Sequence, residues 1–407
     1  MDKQINKMPL IRFPDFKEEW REFRLSELMS RVSKSNKDEE FSVNEILSLS
    51  STKGIVDRKE LLGDTYDKVN HKNYIKTRIN DLVYGKSISA SYPYGLFKVN
   101  DCRDGLLSTL YFTFKVNDNE IPAFFDRYFS YHNRANNFLK KYVLVGDRYI
   151  TADANYILSG KIFIPQKAEQ QKIASFFKIL DIKIEQLKQK KRLLIEYKKG
   201  IMQKIFAQEL RFKDENGNEF PDWEEKKLVD ILTEKNEKTN SSGQHRILSS
   251  TAKGIFNQDD YFTRDIASKD NTGYKILRKY QLVFSPQNLW LGNINVNMNF
   301  EIGIVSPSYK IFSFDEKISL AEYFQYFLLT PKMMFEYEQS STQGASVVRR
   351  NLDMERFFNI DFLLPSIEEQ KKIAAFLVTI DDKISRTQAQ VVNTQEYKKG
   401  LLQKMFV

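Results

Sequence analysis

Two stretches of the chain carry apolar residues at the spacing of a long helix that buries one stripe. Across 173–205 the positions advance by alternating steps of four and three residues, and eight of the ten are apolar. The same register across 373–405 is apolar at seven of ten positions. Because a 3.5-residue period sustained over this length is typical of a coiled coil, we predict two long helices that pair with each other.

The pairing that we predict is antiparallel, which puts Ile173 near Met405 and Lys191 opposite Thr387. A helix of about 38 residues forms a rod of roughly 57 Å. In the alternative arrangement each helix packs separately on its own domain, but too little of either helix would then be covered.

The two helical stretches belong to an internal repeat of 200 residues. The string EQQKIA at 169–174 returns as EQKKIA at 369–374, and YKKG at 197–200 returns at 397–400. The tripeptide KGI at 53–55 recurs in the same way at 253–255. The 407 residues therefore form two halves, each with a globular part followed by a helix.

The globular parts carry alternating, aromatic-rich runs that indicate strands, such as LYFTFKV at 110–116. Short helical patterns lie around 123–139 and 320–337. We therefore predict an α+β fold class, in which two mixed α/β domains are separated by two long helices that form an antiparallel coiled coil. The predicted bounds are 1–165 for the first domain, 166–207 for the first helix, 208–365 for the second domain and 366–407 for the second helix.

Composition excludes several classes of protein. A single cysteine, Cys102, excludes a disulfide framework, and three histidines leave little for a metal centre. No run of 18 apolar residues exists, and the first residues lack the apolar core of a signal peptide. We therefore expect a cytoplasmic protein that does not contact a membrane.

The positive charge is concentrated in the helices. The net charge of the whole chain is +9. Counting Lys and Arg against Asp and Glu gives +6 for 169–206 and +3 for 369–406, so the globular parts are neutral. Polyanions such as nucleic acid are plausible partners, but binding would use local basic clusters rather than a diffuse basic coat.

Three segments resemble catalytic motifs and fail on inspection. The segment 84–87 lacks the first glycine of a phosphate-binding loop. The segment 91–94 only faintly resembles a methyltransferase motif, and no glycine-rich cofactor strand accompanies it. The segment 221–226 resembles a nuclease site, but its counterpart at 14–20 keeps the tryptophan and loses the Glu-x-Lys arrangement. We therefore predict no catalytic residue and no metal site in this chain.

The helical stretches are most alike at their ends. Between 169–206 and 369–406, 17 of 38 positions are identical, and none of these lies within 185–195. This pattern suits two equivalent docking sites for two copies of a partner, although shared packing of the helix ends would also explain it. The candidate docking residues are Gln170, Phe176, Asp181, Tyr197, Lys199 and Phe206, with their counterparts Gln370, Phe376, Asp381, Tyr397, Lys399 and Phe406.

The chain resembles the specificity subunits of type I restriction-modification systems. The resemblance rests on IRFPDF at 11–16 with Trp20, on the proline and EQxKIA string before each helix, and on EYKKG at 196–200 and 396–400. It covers the whole chain. It implies that each globular domain is a target recognition domain that reads one half of a bipartite sequence in double-stranded DNA.

The same resemblance implies a non-catalytic subunit of a larger enzyme. The helices would set the spacer between the half-sites and dock two methyltransferase subunits, and motor-nuclease subunits would complete the complex. No cofactor is expected in this chain, because S-adenosylmethionine, ATP and Mg²⁺ would be bound by those other subunits.

The two halves should share residues that position the DNA or the fold and differ in residues that read bases, because unlike half-sites need unlike readers. The shared class comprises Lys53, Lys253, Arg78 and Arg278. The divergent class lies within 86–94 and 286–297 and after Gly146 and Gly344. Its members are Lys86, Ser87, Tyr92, Tyr94, Arg148, Tyr149, Gln287, Asn288, Trp290, Ser346, Arg349 and Arg350.

Two other classes of function stay open at this point. One is a scaffold that holds two ligand-binding domains apart without touching nucleic acid, and a neighbouring gene for an adenine methyltransferase would argue against it. The other is a nuclease with an unrecognised site, which incubation of the chain with plasmid and Mg²⁺ would reveal.

Overall fold

A computed structural model describes residues 8–63, 70–146, 150–261, 270–343 and 350–407. The chain divides into two compact units. The first unit consists of Met1–Gln189 and Gln388–Val407, and the second consists of Lys190–Thr387. The division falls inside both long helices, so each unit contains one globular domain and a part of each helix.

The globular domain of the first unit consists mainly of short strands. They are β1 (Arg21–Arg24), β2 (Met29–Val32), β3 (Leu47–Ser50), β4 (Gly54–Asp57), β5 (Ile75–Thr77), β6 (Leu82–Gly85), β7 (Leu96–Val99), β8 (Gly105–Leu107), β9 (Tyr111–Val116), β10 (Val143–Val145), β11 (Ile150–Ala152) and β12 (Lys161–Ile164). The helices are α1 (Leu25–Leu28), α2 (Arg58–Leu62), α3 (Pro122–Ser130), α4 (His132–Leu139), α5 (Ala154–Leu158) and the long α6 (Lys167–Phe206). A 3₁₀ turn spans Val43–Glu45.

A four-stranded antiparallel sheet in the order β2-β9-β6-β7 is central to this domain. The aromatic run predicted at 110–116 forms β9, in which Phe114 is fully buried and Lys115 is exposed. The remaining strands form antiparallel pairs: β1 with β12, β3 with β4, β5 with β8, and β10 with β11.

The second unit repeats the strands and α-helices of the first in the same order. Its strands are β13 (Glu224–Lys227), β14 (Leu232–Lys235), β15 (Leu248–Thr251), β16 (Gly254–Asn257), β17 (Lys275–Arg278), β18 (Leu282–Phe284), β19 (Ile294–Val296), β20 (Ile302–Val305), β21 (Lys310–Phe314), β22 (Ser341–Gln343), β23 (Arg350–Leu352) and β24 (Asp361–Leu364). Its helices are α7 (Leu228–Ile231), α8 (Gln258–Tyr261), α9 (Ala321–Phe327), α10 (Pro331–Gln339), α11 (Met354–Phe358) and the long α12 (Ile367–Lys404). A 3₁₀ turn spans Leu289–Leu291.

Strand pairing repeats as well as strand order. The second four-stranded sheet runs β14-β21-β18-β19, and the pairs β13-β24, β15-β16, β17-β20 and β22-β23 match those of the first unit one for one. The internal repeat therefore specifies two copies of one topology. The α+β class and the two mixed domains predicted from the sequence are confirmed.

In the first unit the start of α6 packs antiparallel to the end of α12. Ile173 and Phe177 share a core with Met405 and Phe406, as the predicted register requires. This core extends into the domain to Trp20 and to the aromatic side of α3. Asp181 forms an ion pair with Lys398 beside the apolar seam.

The second unit shows the same helix pairing with the roles exchanged. The core contains Ile205 from the end of α6 and Ile373, Leu377 and Ile380 from the start of α12. Lys198 and Asp381 form the matching ion pair at 2.6 Å. The antiparallel coiled coil is thus confirmed within each unit, whereas the predicted contact of Lys191 with Thr387 stays a prediction.

The repeated glutamate at the start of each long helix anchors the segment that precedes its domain. Glu169 is fully buried and accepts two hydrogen bonds of 2.7 Å from the Arg12 guanidinium. In the second unit Glu369 is equally buried and binds Arg211 at 2.9 Å and 3.3 Å. A buried carboxylate requires such pairing, which gives the arginine of each preceding segment a structural role.

None of the helices within the described ranges is long and apolar enough to span a bilayer. Within the same ranges, histidine, cysteine and acidic side chains do not cluster in groups of three or more that could hold a metal ion.

Candidate functional site

The shared lysines lie at the tips of equivalent hairpins. Lys53 is exposed in the turn between β3 and β4, where its backbone N–H donates to the Ser50 hydroxyl. Lys253 is exposed in the turn between β15 and β16 and donates in the same way to Thr251. Both ammonium groups face solvent, so they are accessible to a polyanion.

The shared arginines are already paired with carboxylates. Arg78 contacts Glu40 at 2.5 Å and Asp104 at 3.1 Å, and its guanidinium lies 5.0 Å from the centre of the Phe41 ring. Arg278 forms an ion pair of 2.8 Å with Glu237. These contacts neutralise both guanidinium groups within their own domains, so a role in the fold accounts for them without DNA.

The structure brings the divergent segments of each domain together. In the first unit the backbone N–H of Ile150, at the start of β11, donates to the Lys86 carbonyl at 3.3 Å. In the second unit Arg350, at the start of β23, donates to the Gln287 carbonyl at 3.2 Å. The segments 86–94 and 286–297 thus each lie beside a strand of the following hairpin, at matching places in the repeat.

An arginine stacked on a tryptophan marks this place in the second unit. The Arg350 guanidinium lies 4.1 Å from the centre of the Trp290 ring and 3.0 Å from a Glu338 carboxylate oxygen. Gln287 is exposed next to them, and Asn288 is half-buried at the start of the 3₁₀ turn. A fixed guanidinium beside an exposed amide offers hydrogen-bond groups of the kind that read base edges.

The corresponding place in the first unit has different chemistry. The Lys86 ammonium lies 4.1 Å from the centre of the Phe112 ring, and burial lowers its pKa. Ser87 is exposed, whereas Tyr92 and Tyr94 are half-buried. The Tyr94 carbonyl accepts a 2.7 Å hydrogen bond from the Tyr84 hydroxyl, which ties this segment to the central sheet.

Four predicted DNA-binding residues lie outside the described residues. They are Arg148, Tyr149, Ser346 and Arg349.

Among the predicted docking residues, the two glutamines have internal partners. Gln170 is buried, donates to Glu120 at 2.6 Å and accepts from the Ile121 N–H at 3.1 Å. Gln370 is buried and accepts from the Leu320 N–H at 2.8 Å. Their identity in both halves reflects the same packing of helix start against domain, so we leave them out of the docking surface proposed below.

The repeated aromatic and acidic residues also make internal contacts. Phe176 packs on Phe13 and Phe376 packs on Phe212, with ring centres 5.6 and 5.5 Å apart. The other two phenylalanines lie in the cores at the helix ends: Phe206 against Tyr323 and Phe327, and Phe406 against Trp20, Phe124, Tyr128 and Phe177.

The two aspartates of this set join the helices to their domains. Asp181 binds Arg127 at 2.9 Å as well as Lys398. Asp381 binds Lys198 and accepts a 2.8 Å hydrogen bond from Tyr326. Burial raises the pKa of Tyr326, and the hydrogen bond to this carboxylate raises it further.

Four docking candidates present their side chains to solvent. Tyr197 and Tyr397 are more than half exposed, and Lys199 and Lys399 are exposed beside them. In the second unit Lys199 also borders a largely apolar cleft of about 640 Å³ between the end of α6 and the loop before α10. Tyrosine side chains are enriched in protein-binding surfaces.

Sequence analysis missed two cationic side chains. Arg31 on β2 lies over the Phe112 ring at 5.3 Å, and Arg134 on α4 lies over the Phe406 ring at 4.9 Å. Neither stands in a motif or in a repeated string, so the sequence gives no local signal for them. Strand pairing and helix packing, which are tertiary features, create both sites.

Comparison with known proteins connects these features to a family. Residues 221–394 match the model of the type I restriction modification DNA specificity domain. A crystallised S subunit of a type I restriction-modification system from M. genitalium is 14% identical, with a TM-score of 0.52 over 98% of this chain and 99% of that chain. A chain from a structure of type I R-M complex assembly and conformational transition is 16% identical, with a TM-score of 0.50 over 95% of this chain and 97% of that chain. At these identities the two likenesses show the fold.

Proposed function

We propose that this chain is a specificity subunit of a type I restriction-modification system and selects the DNA sequence on which the complex acts. The match of residues 221–394 to the specificity-domain model and the internal repeat of 200 residues support this proposal. Each globular domain reads one half of a bipartite target in double-stranded DNA. The chain itself performs no catalysis, and S-adenosylmethionine, ATP and Mg²⁺ bind to the methyltransferase and motor-nuclease subunits that assemble with it.

One observation carries the reading of two half-sites. In both units the divergent segments meet through a backbone hydrogen bond. The donors, Ile150 and Arg350, are equivalent in strand register, and the acceptors, Lys86 and Gln287, lie one position apart in the repeat. The side chains around that bond differ, since the first unit has Lys86 on Phe112 and the second has Arg350 on Trp290. One scaffold with two unlike surfaces is what two unlike half-sequences require.

The helices contribute the spacer and the docking of partners. The α6 helix has 40 residues and α12 has 38, which correspond to about 60 and 57 Å. The exposed Tyr197, Lys199, Tyr397 and Lys399 recur 200 residues apart, which favours two equivalent contacts with two methyltransferase subunits.

Methylation mapping of Trp290→Ala tests the reading of bases. The full chain is expressed with its methyltransferase subunit, and the modified sites are sequenced. We expect preference to relax at one position of one half-site, with a loss of about 1–3 kcal/mol in discrimination. Lys253→Ala in the same unit is the control and should leave the sequence unchanged. Relaxation in both half-sites, or none with methylation intact, would refute the assignment.

A matched insertion tests the spacer. Seven residues inserted after Lys190 and seven after Thr387 lengthen each helix by roughly 10 Å and keep the apolar seam in phase. Both half-sequences should persist while the unread spacer grows by about three base pairs. Insertion into one helix alone puts the seams out of register and should abolish methylation. An unchanged spacer in the doubly extended variant would contradict this role of the helices.

A further inference from the structure

Two cationic side chains in the first unit share one aromatic ring. Arg31 on β2 and Lys86 just after β6 flank β9, and their charged groups lie 5.3 and 4.1 Å from the centre of the Phe112 ring. The ring itself stacks on Tyr84, with ring centres 6.1 Å apart. Cation–π contacts of this kind hold a charge against a surface without neutralising it.

The charge of this pair is not compensated within the described ranges. No acidic side chain there forms an ion pair with Arg31 or Lys86, and the Lys86 ammonium donates only to the Thr109 carbonyl, at 3.5 Å. Burial lowers the pKa of Lys86, and the nearby charge of Arg31 lowers it further. Two cations that repel each other favour binding of an anion between or beside them.

The second unit neutralises the equivalent place. Strand register equates Met29 with Leu232, and therefore Arg31 with Glu234. The same register equates Phe112 with Lys310. Glu234 and Lys310 form an ion pair of 2.7 Å, so the sheet that carries two uncompensated cations in one unit carries a neutral pair in the other.

The cationic pair also lies beside the surface proposed to read DNA. The Lys86 carbonyl accepts the hydrogen bond from Ile150, and the segment 87–94 follows directly. The Phe112 ring holds both charged groups close to the sheet. This position suits contact with a DNA phosphate that passes over the sheet better than insertion of either side chain into a DNA groove.

We propose that Arg31 and Lys86 form a binding site for the DNA phosphate backbone in the first unit, without a counterpart at Glu234 and Lys310 in the second. The site rests on the proposed function, because its ligand is the DNA that the complex selects. The proposal assigns Lys86 to the DNA backbone, although the sequence had placed this residue among those that read bases. It also adds Arg31, which the sequence did not indicate.

Salt dependence of binding tests this site. The full chain in complex with its methyltransferase subunit is titrated with its target duplex and with a scrambled duplex between about 50 and 200 mM salt. The slope of log K against log salt is negative, and each lost phosphate contact makes it shallower by about 0.9. Between about 50 and 200 mM salt the affinity of such a variant therefore falls about 3.5-fold less than that of the wild type. We expect Arg31→Ala and Lys86→Ala each to show this decrease on both duplexes, with an unchanged preference between them. Arg31→Lys should keep the wild-type slope.

The neutral pair supplies the matched control. Glu234→Gln with Lys310→Gln removes no net charge and should leave the slope as it is. An unchanged slope in Arg31→Ala and Lys86→Ala with unfolding temperatures like the wild type, or a changed sequence preference, overturns the phosphate site alone. If the wild-type complex itself does not distinguish target from scrambled DNA, the proposed function fails and the site fails with it.

Discussion

The buried carboxylate of Glu369 allows a direct test of how the repeated helix start stabilises its domain. Its oxygens accept hydrogen bonds from the Arg211 guanidinium at 2.9 Å and from the Trp223 indole N–H at 3.0 Å. Glu369→Ala removes both acceptors and leaves a guanidinium that is only 19% exposed. Deleting one partner of a buried ion pair costs about 3–5 kcal/mol.

The lower end of that range is expected here. Arg211 also donates to the carbonyls of Phe220 and Pro221, at 3.2 and 2.6 Å, so its charge stays partly satisfied without the carboxylate. The Trp223 N–H loses its partner, and an unsatisfied buried donor costs about 1–3 kcal/mol, though the two losses are not additive. We therefore expect Glu369→Ala to lower the free energy of unfolding by about 3 kcal/mol.

Native-state hydrogen exchange is the appropriate measurement, because a chain of two units is not expected to unfold in one step. Amides of 210–223 and of the start of α12 report on the anchored segment. Glu301→Ala serves as the control, since it removes an exposed ion pair with Lys279 in the same unit, and such pairs contribute about 0–1 kcal/mol. A loss in Glu369→Ala no larger than in this control would refute the anchoring role.

Two further predictions concern the first unit. Arg134→Ala should lower the unfolding temperature, because this largely buried guanidinium donates to the carbonyls of Leu402 and Phe406 at 2.9 and 3.4 Å, where α12 ends. Calorimetry checks this prediction, with Lys140→Ala as an exposed control. Equal unfolding temperatures in the two variants would contradict it. Asp81→Asn should stabilise the domain at neutral pH, because burial raises the pKa of this carboxyl. In the repeat a neutral side chain, that of Gln281, accepts the hydrogen bond from the equivalent backbone N–H. A carboxyl whose pKa is higher in the folded than in the unfolded state destabilises the fold at pH values above the folded-state pKa. This penalty disappears as the pH falls below the unfolded-state pKa. The gain from Asp81→Asn, measured by denaturation across pH 3 to 7, should therefore shrink toward acid, and a gain independent of pH would refute this cause.

The long helices could be predicted in detail because their signal is local and periodic. A helix that buries one stripe over its whole length needs apolar residues at alternating steps of three and four positions along the chain. The antiparallel direction was predicted from the repeat instead, because only this pairing relates the two copies by pseudo-twofold symmetry, and Ile173 does share a core with Met405. Topology of the domains could be predicted only as a class, since strands of three to six residues meet partners far away in sequence.

Roles of the repeated polar residues were harder to predict. Identity at positions 200 apart shows that two side chains share an environment, and it does not show whether that environment is a partner, DNA or the core. Gln170 and Arg78 illustrate the difficulty, because one is buried against its own domain and the other is paired with Glu40 and Asp104. Side-chain burial and ion-pair partners depend on tertiary contacts, which a single sequence does not contain.

Divergence between the two copies is the more informative signal, because a common topology turns it into a controlled comparison. Where strand register equates two positions, the backbone is the same and the side-chain chemistry alone differs. Arg31 and Phe112 stand in the central sheet of the first unit where Glu234 and Lys310 stand in that of the second. The fold tolerates both arrangements, so packing does not dictate either of them. The phosphate site proposed in the first unit supplies a reason for the difference, and Arg31→Glu combined with Phe112→Lys should therefore reduce the salt dependence of binding as Arg31→Ala does.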